Sequence, residues 1–302
     1  MRTTYKNKKH RFGCKIQIAL MLAPLLALFL LFNVYPLLCS VFYSFTKYNG
    51  VAVQSFVGFD NYKRMFHDTS WWKSVWNTLQ FTVMGYVVQV PLSLLTAVLL
   101  NGKIRGRNFL RTTFFLPNVT STAIIGIIFY FMFASYNGIV NGLLQSVGLI
   151  ERPIEWLANV TLAKWVIILL NTWGQFGFFM VLFLAAIQRI PLELYESAVI
   201  DGANTRQKFT RITFPLLGSM FPVITMMVIL NAFQLFDSVK VITNGGPGNE
   251  TSVMALHIYN YFFSTSGAQQ GYASALSVGA TVITALVGAL YLGLTGKKFH
   301  DS

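Results

Sequence analysis

Long apolar runs alternate with short basic segments along this chain. Residues 16–46 contain no Asp, Glu, Lys or Arg, and neither do 74–102, 112–150, 165–188, 212–236 or 271–296. At about 1.5 Å per residue, a helix of roughly 20–25 residues crosses the ~30 Å hydrocarbon layer of a bilayer. Each run can therefore supply one spanning helix. The pattern predicts an all-α integral membrane protein with six transmembrane helices. The first lies in 16–46, and the others lie at 77–101, 114–134, 165–188, 212–236 and 272–296. A secretory leader is a poorer reading of 16–46, because the run far exceeds an apolar core of about 7–15 residues and no A-x-A site ends it. Pro36 predicts a kink in the first helix. Residues 112–150 are too many for one span and too few for two. Their later part, 136–149, holds Gly138, Asn141, Gly142 and Gly148 and reads as a short interfacial helix. Residues 271–296 are rich in Gly, Ala and Ser, which let helices approach closely in lipid.

Composition agrees with the pattern. Of 302 residues, 54% are hydrophobic and only 11% charged, whereas soluble domains carry about 25% charged residues. The net charge of +13 could suggest a nucleic-acid partner, but its distribution explains it. With the N-terminus inside, the tail 1–15 and the segments 103–111, 189–211 and 297–302 hold 16 of the 23 Lys and Arg residues. The segments on the other side hold 7, so the two sides carry net charges of +12 and +1. The positive-inside rule then places both termini in the cytoplasm and leaves no need for nucleic acid. Cys14 and Cys39 are too isolated to form a disulfide framework or a metal site.

One polar stretch between spans looks ordered: Ile190–Leu217. Pro191 suits a first helical turn. Leu192, Leu194, Tyr195, Ala198 and Val199 recur at roughly helical spacing, with Glu193 and Glu196 near the positive end of the helix dipole. Asp201-Gly202 reads as a stop and turn, and a second short helix follows from Ala203 or Asn204. Pro215 precedes the next apolar run. The expected result is two short helices joined at a glycine, held at both ends by prolines. An ordinary cytoplasmic loop would share this chemistry.

No catalytic constellation, metal-ligand spacing or phosphate-binding glycine loop occurs. No ionisable side chain falls near the middle of a span, which disfavours an ion-coupled carrier. It fits a neutral solute moved by an external motor. The mid-span groups are Gln89, then Asn171, Thr172, Trp173 and Gln175, then Asn231 and Gln234. We take Gln89, Asn171, Trp173, Gln175, Asn231 and Gln234 as the candidate solute path, since amides and aromatic faces suit sugar hydroxyls and C–H surfaces. The same amides also suit bonds to a neighbouring helix, an interaction of about 1 kcal/mol or less.

Glu196-Ser197-Ala198-x-x-Asp201-Gly202-Ala203, followed by Phe209, Ile212 and Pro215, resembles the EAA loop of ABC importer permeases. Ser197 stands where that family usually has Ala. Phe56–Tyr62, Asn77-Thr78 and Phe236–Thr251, with its Gly245-Gly246-Pro247-Gly248 turn, resemble segments of the maltose-type carbohydrate uptake branch. Asn244 replaces the usual Gly there, and Asn tolerates the left-handed conformation better than most residues. The resemblance implies a type I permease core over 74–298 with its coupling loop at 190–217, in the cell membrane. It implies a second homologous permease, two ATP-binding subunits that carry ATP and Mg, and an extracellular solute-binding protein. The chain itself would bind no cofactor and catalyse no reaction. Glu196 and Asp201 would either shape the loop or contact the ATP-binding subunit. A polyol, glycerol phosphate or a stand-alone secondary carrier are the alternatives.

Overall fold

The computed structural model describes residues 20–102, 104–264 and 269–300. The basic tail, the first residues of the 16–46 run and Lys103 lie outside the described residues. The chain forms two compact units.

The first unit comprises the described chain up to His67 together with Tyr261–Gly279. Helix α1, Leu20–Ser44, opens it. A π turn at Leu30–Val34 lies just ahead of Pro36, whose missing N–H interrupts the ladder at the place where a kink was expected. Ser44 is the first buried side chain in α1. Strands β1, Thr46–Tyr48, and β2, Val53–Phe56, form an antiparallel hairpin that hydropathy alone does not reveal. The Asn49-Gly50 turn explains it. Asn49 Oδ1 accepts the Val51 and Ala52 N–H groups at 3.1 and 2.9 Å, and Gly50 has φ +89°. Helix α2, Asp60–His67, follows. Asn61 Nδ2 donates to the Ser44 and Thr46 carbonyls at 2.9 and 3.0 Å, so it ties the end of α1 to α2. Phe45 packs against Phe56, Phe59 and Tyr62 around this tie.

The second unit comprises Asp68–Asn260 and the chain from Ala280. Its helices are α3 (Thr69–Asn101), α4 (Arg107–Val119), α5 (Thr122–Met132), α6 (Ile139–Ser146), α7 (Val160–Ile187), α8 (Leu192–Ile200), α9 (Thr205–Phe233), α10 (Asp237–Ile242) and α11 (Met254–Tyr259). Helix α12, Gln270–His300, begins in the first unit and ends in this one. Asp68 caps α3 by accepting the Ser70 and Trp71 N–H groups, and Asn159 caps α7 in the same way. Helices α3 and α7 pack along their length and form the heart of the unit. Phe81, Ile167, Leu170, Val239 and Leu256 fill one apolar cluster. Phe179, Met180, Phe183, Leu217 and Ile224 fill the other. A Cβ on Gly177 would fall 1.9 Å from the Phe114 carbonyl oxygen, so α4 meets α7 backbone to backbone.

Five helices are long and apolar enough to cross a membrane, or six if α4 and α5 together make one span. That pair corrects the single straight span expected at 114–134. The two helices meet at 97°. Thr120 and Ser121 take extended backbone between them, with ψ 144° and 126°, and Pro117 withholds an N–H from the last turn of α4. The second short helix expected after Gly202 is not separate either. It runs into the next long helix as α9, through a π turn at Phe209–Thr213 and a 3-10 turn at Leu217–Ser219. Pro215 therefore lies within a continuous helix, between its π and 3-10 turns, and anchors no loop end. Pro191 is the N-cap of α8, one residue outside the first turn assigned to it.

Candidate solute path and coupling segment

Three helices of the second unit converge on one polar region. Gln89 comes from α3, Asn171 and Gln175 from α7, and Asn231 from the last turn of α9. All four line a narrow cavity with Phe81, Gly85 and Thr172. A second cavity of about 300 Å³ shares Asn171, Gln175 and Asn231 and extends to Asn118, Thr120 and Gly174. Part of the amide capacity is used internally. Asn171 Nδ2 donates to the Ile167 carbonyl at 2.7 Å and to Ser238 Oγ at 3.0 Å. Asn231 Nδ2 donates to Gln175 Oε1 at 3.0 Å. Gln89 Nε2 reaches the Asn171 carbonyl at 3.4 Å. The Thr172 hydroxyl is buried without a partner among the described residues. Neither cavity has an ionisable residue in its lining. The region can therefore exchange hydrogen bonds with a neutral, hydroxyl-bearing molecule and has no charge to offer an ion.

Two of the six candidate path residues lie elsewhere. Trp173 is half-exposed, with its ring 6.0 Å from that of Phe129, and Gln234 caps α9 as an exposed residue. At about 100° per residue, Trp173 falls on the face of α7 opposite Asn171 and Gln175, whereas Gln234 lies just past the last residue of α9, Phe233. Sequence reasoning omitted Ser238, Asn118 and Thr120. Pro117 was the available signal for the last two, because a proline-broken helix exposes backbone that needs polar neighbours.

At the other end of α7 lies the coupling segment. Helix α8 has no buried residue. Leu192, Val199 and Ile200 are 67%, 59% and 86% exposed, an apolar surface on a nine-residue helix. Its end is a built turn. Ala203 N–H bonds the Ala198 carbonyl at 2.8 Å and Gly202 N–H bonds that of Val199 at 3.0 Å, with Gly202 at φ +76°. Asn204 and Gln207 then form a capping box that starts α9. Tyr195 and Thr213 hydroxyls meet at 2.9 Å and fix α8 against α9. Ala198, Ala203, Phe209 and Ile212 are half-buried, whereas Glu196, Ser197, Asp201, Gly202 and Pro215 are exposed. Neither Glu196 nor Asp201 makes a side-chain hydrogen bond among the described residues.

The Asn77-Thr78 pair binds the loop that precedes α11. Asn77 Nδ2 donates to the Ser252 carbonyl at 2.9 Å, and Thr78 Oγ1 accepts the Met254 N–H at 3.2 Å. In the glycine-rich turn, Asn244 takes φ +49°, the left-handed conformation expected of it. Beside this loop His257 is buried with Nε2 3.4 Å from Asp68 Oδ2. Burial lowers the imidazole pKa, and Asp68 opposes that shift.

Residues 89–296 match the family of binding-protein-dependent transport system inner membrane components. The chain belongs to this family. The permease is 32% identical over 279 residues to the probable starch degradation products transport system permease protein of Thermoanaerobacterium thermosulfurigenes, covering 92% of this chain and 94% of that one. It is 35% identical over 266 residues to the lactose transport system permease protein of Rhizobium radiobacter, covering 87% and 88%. Among solved structures it is similar to a chain of a bacterial ABC transporter involved in the import of the acidic polysaccharide alginate. The TM-score is 0.84 at 23% identity, over 97% of this chain and 98% of that one, and the shared property is the fold. The permease is thus a helical, multi-pass protein of the inner membrane with an ABC importer permease fold.

Proposed function

We propose that this permease forms half of the translocation path of an ATP-driven, binding-protein-dependent ABC importer for a neutral carbohydrate. The convergence of Gln89, Asn171, Gln175 and Asn231 on one charge-free region carries the proposal. Several relatives at 31–35% identity are named for sugars, which supports carbohydrate over a polyol or glycerol phosphate. In this reading the chain crosses the membrane six times, α4 and α5 making one broken span, with both termini in the cytoplasm and a core over 74–298. Membrane lipid surrounds it, a second homologous permease completes the path and an extracellular solute-binding protein delivers the sugar.

The sequence contains no phosphate-binding glycine loop, so in this reading energy enters through contact. The segment 190–217 is the place proposed for it. Two ATP-binding subunits carry ATP and Mg, and a cleft on one of them receives α8. The bare apolar surface of Leu192, Val199 and Ile200 and the unbonded Glu196 and Asp201 support contact with a partner over a purely internal shaping role. Ala198 and Ala203 keep the turn slim, and the Tyr195–Thr213 bond passes movement of α8 to α9, which carries Asn231.

The test is uptake of radiolabelled oligosaccharides by cells expressing the complete transporter. Gly202→Asp and Glu196→Lys are expected to abolish ATP-driven uptake while leaving the permease in the membrane at normal abundance. Normal uptake by both variants would overturn the coupling role. Uptake that persists without an ATP-binding subunit would identify a stand-alone carrier.

A further inference from the structure

Lys164 occupies the second turn of α7, near the end where the helix dipole disfavours a cation. Its Nζ donates to Asn77 Oδ1 at 3.1 Å and Gln80 Oε1 at 2.7 Å, two neutral acceptors on α3. No carboxylate lies within ion-pair distance of it among the described residues. The nearby Glu250 is paired with Lys73. A positive charge is therefore held in place with neutral ligands only. Beside it runs a groove of about 480 Å³ between α3 and α7, lined by Trp76, Leu79, Val83 and Met84 on one side and by Val160 and Thr161 on the other. Trp76 and Val83 are 60% and 63% exposed. Trp76 lines this groove with Lys164, and Trp72 and Trp165 are likewise exposed in the first turns of α3 and α7, the depth tryptophans favour at the headgroup level of a membrane.

From this juxtaposition we infer that the α3–α7 groove seats one anionic phospholipid, with its phosphate on Lys164 and an acyl chain along Leu79, Val83 and Met84. The charge complementarity is direct. Glu250, already paired with Lys73, acts on the cation only from beyond ion-pair distance, the apolar wall continues along α3, and the tryptophans mark the depth at which a lipid phosphate sits. The inference needs only that α3 and α7 lie in the membrane, so it does not depend on the solute or on the coupling segment.

The experiment is native mass spectrometry of the full permease, with the subunits that purify with it, released from nanodiscs of equal parts phosphatidylglycerol and phosphatidylcholine. The wild type is expected to retain phosphatidylglycerol selectively. Lys164→Met is expected to lower that retention about fivefold, and Lys164→Arg to restore it. Lys63→Met, on the exposed surface of α2, serves as the control and leaves it unchanged. Equal retention of the two lipids, or unchanged retention in Lys164→Met with normal thermal stability, would overturn the inference. So would displacement by inorganic phosphate, which would reveal a small-anion site. A fluorophore on Trp76→Cys that brominated lipid chains fail to quench would show the face covered by another subunit, and would overturn it too.

Discussion

Asn171 uses its amide N–H groups on Ile167 and Ser238, whereas Gln175 offers its carbonyl to Asn231 and keeps its own N–H groups unused among the described residues. These two amides therefore play different parts. Asn171 holds α10 against α7, and Gln175 with Asn231 presents hydrogen-bonding groups to the shared cavities. Asn231→Leu removes such a group without touching a buried contact, since Asn231 is exposed. Losing one buried hydrogen bond to a solute is worth about 1–3 kcal/mol, so the KM for uptake is expected to rise by about 5- to 150-fold at unchanged membrane abundance. Ser238→Ala, which loosens α10, is expected to lower the thermal midpoint as well as uptake. His257 supplies a pH-dependent prediction. Its folded-state pKa is depressed, so the unfolded chain binds the proton more readily. Stability is then full above the ordinary histidine pKa of about 6.5 and declines as pH falls through that value toward the folded pKa. Thermal melts between pH 5 and 8 in detergent are expected to show this decline, and His257→Gln is expected to flatten it.

The elements divide into those hydropathy resolves and those it does not. Helices α3 and α7 are legible because each is built on one charge-free run, 74–102 or 165–188, extended at its start by a short turn behind a capping residue, Asp68 or Asn159. Helix α4 and helix α5 share one run, and nothing in their apolarity marks the join; Pro117 and the extended Thr120 and Ser121 do. The hairpin of the first unit was concealed by its shortness, since three- and four-residue strands give no period to count. At the candidate path, residue type picked Gln89, Asn171, Gln175 and Asn231, but helical phase turned Trp173 away and the end of α9 at Phe233 left Gln234 outside it. Phase becomes visible only when the packing partner is known. One glycine tests the packing of these elements. Gly177→Ala places a Cβ against the Phe114 carbonyl, and overpacking of this kind costs about 1–3 kcal/mol. A lower thermal midpoint is expected. Gly174→Ala, where a Cβ would meet nothing within 4 Å, is expected to leave it unchanged.

At the scale of the whole molecule, the single chain is visibly a part. Helix α1 shows no buried residue before Ser44, and α8 shows none at all. Lipid can cover α1, but α8 follows a polar turn and carries Leu192, Val199 and Ile200 into water unless a partner covers them. Detergent-purified permease without its partners is therefore expected to expose α8 to protease, and addition of the ATP-binding subunits to protect it. The charge-free runs mark the long apolar helices, but they carry no trace of what covers α8.

The 97° break between α4 and α5 also has a consequence for how the chain is made. Helices α4 and α5 have 13 and 11 residues, each well short of the roughly 20 needed to cross a bilayer alone. Their open join cannot face hydrocarbon, because backbone groups without partners are costly there. Neither half can then partition into lipid as it leaves the ribosome. The pair must wait until α7 has been synthesised, since Gly177 on α7 provides the seat for α4. Biogenesis of this permease is thus expected to be out of chain order: a chain truncated after Met132 leaves this segment accessible to water-borne thiol reagents at an introduced cysteine, and one extended through Ile187 protects it.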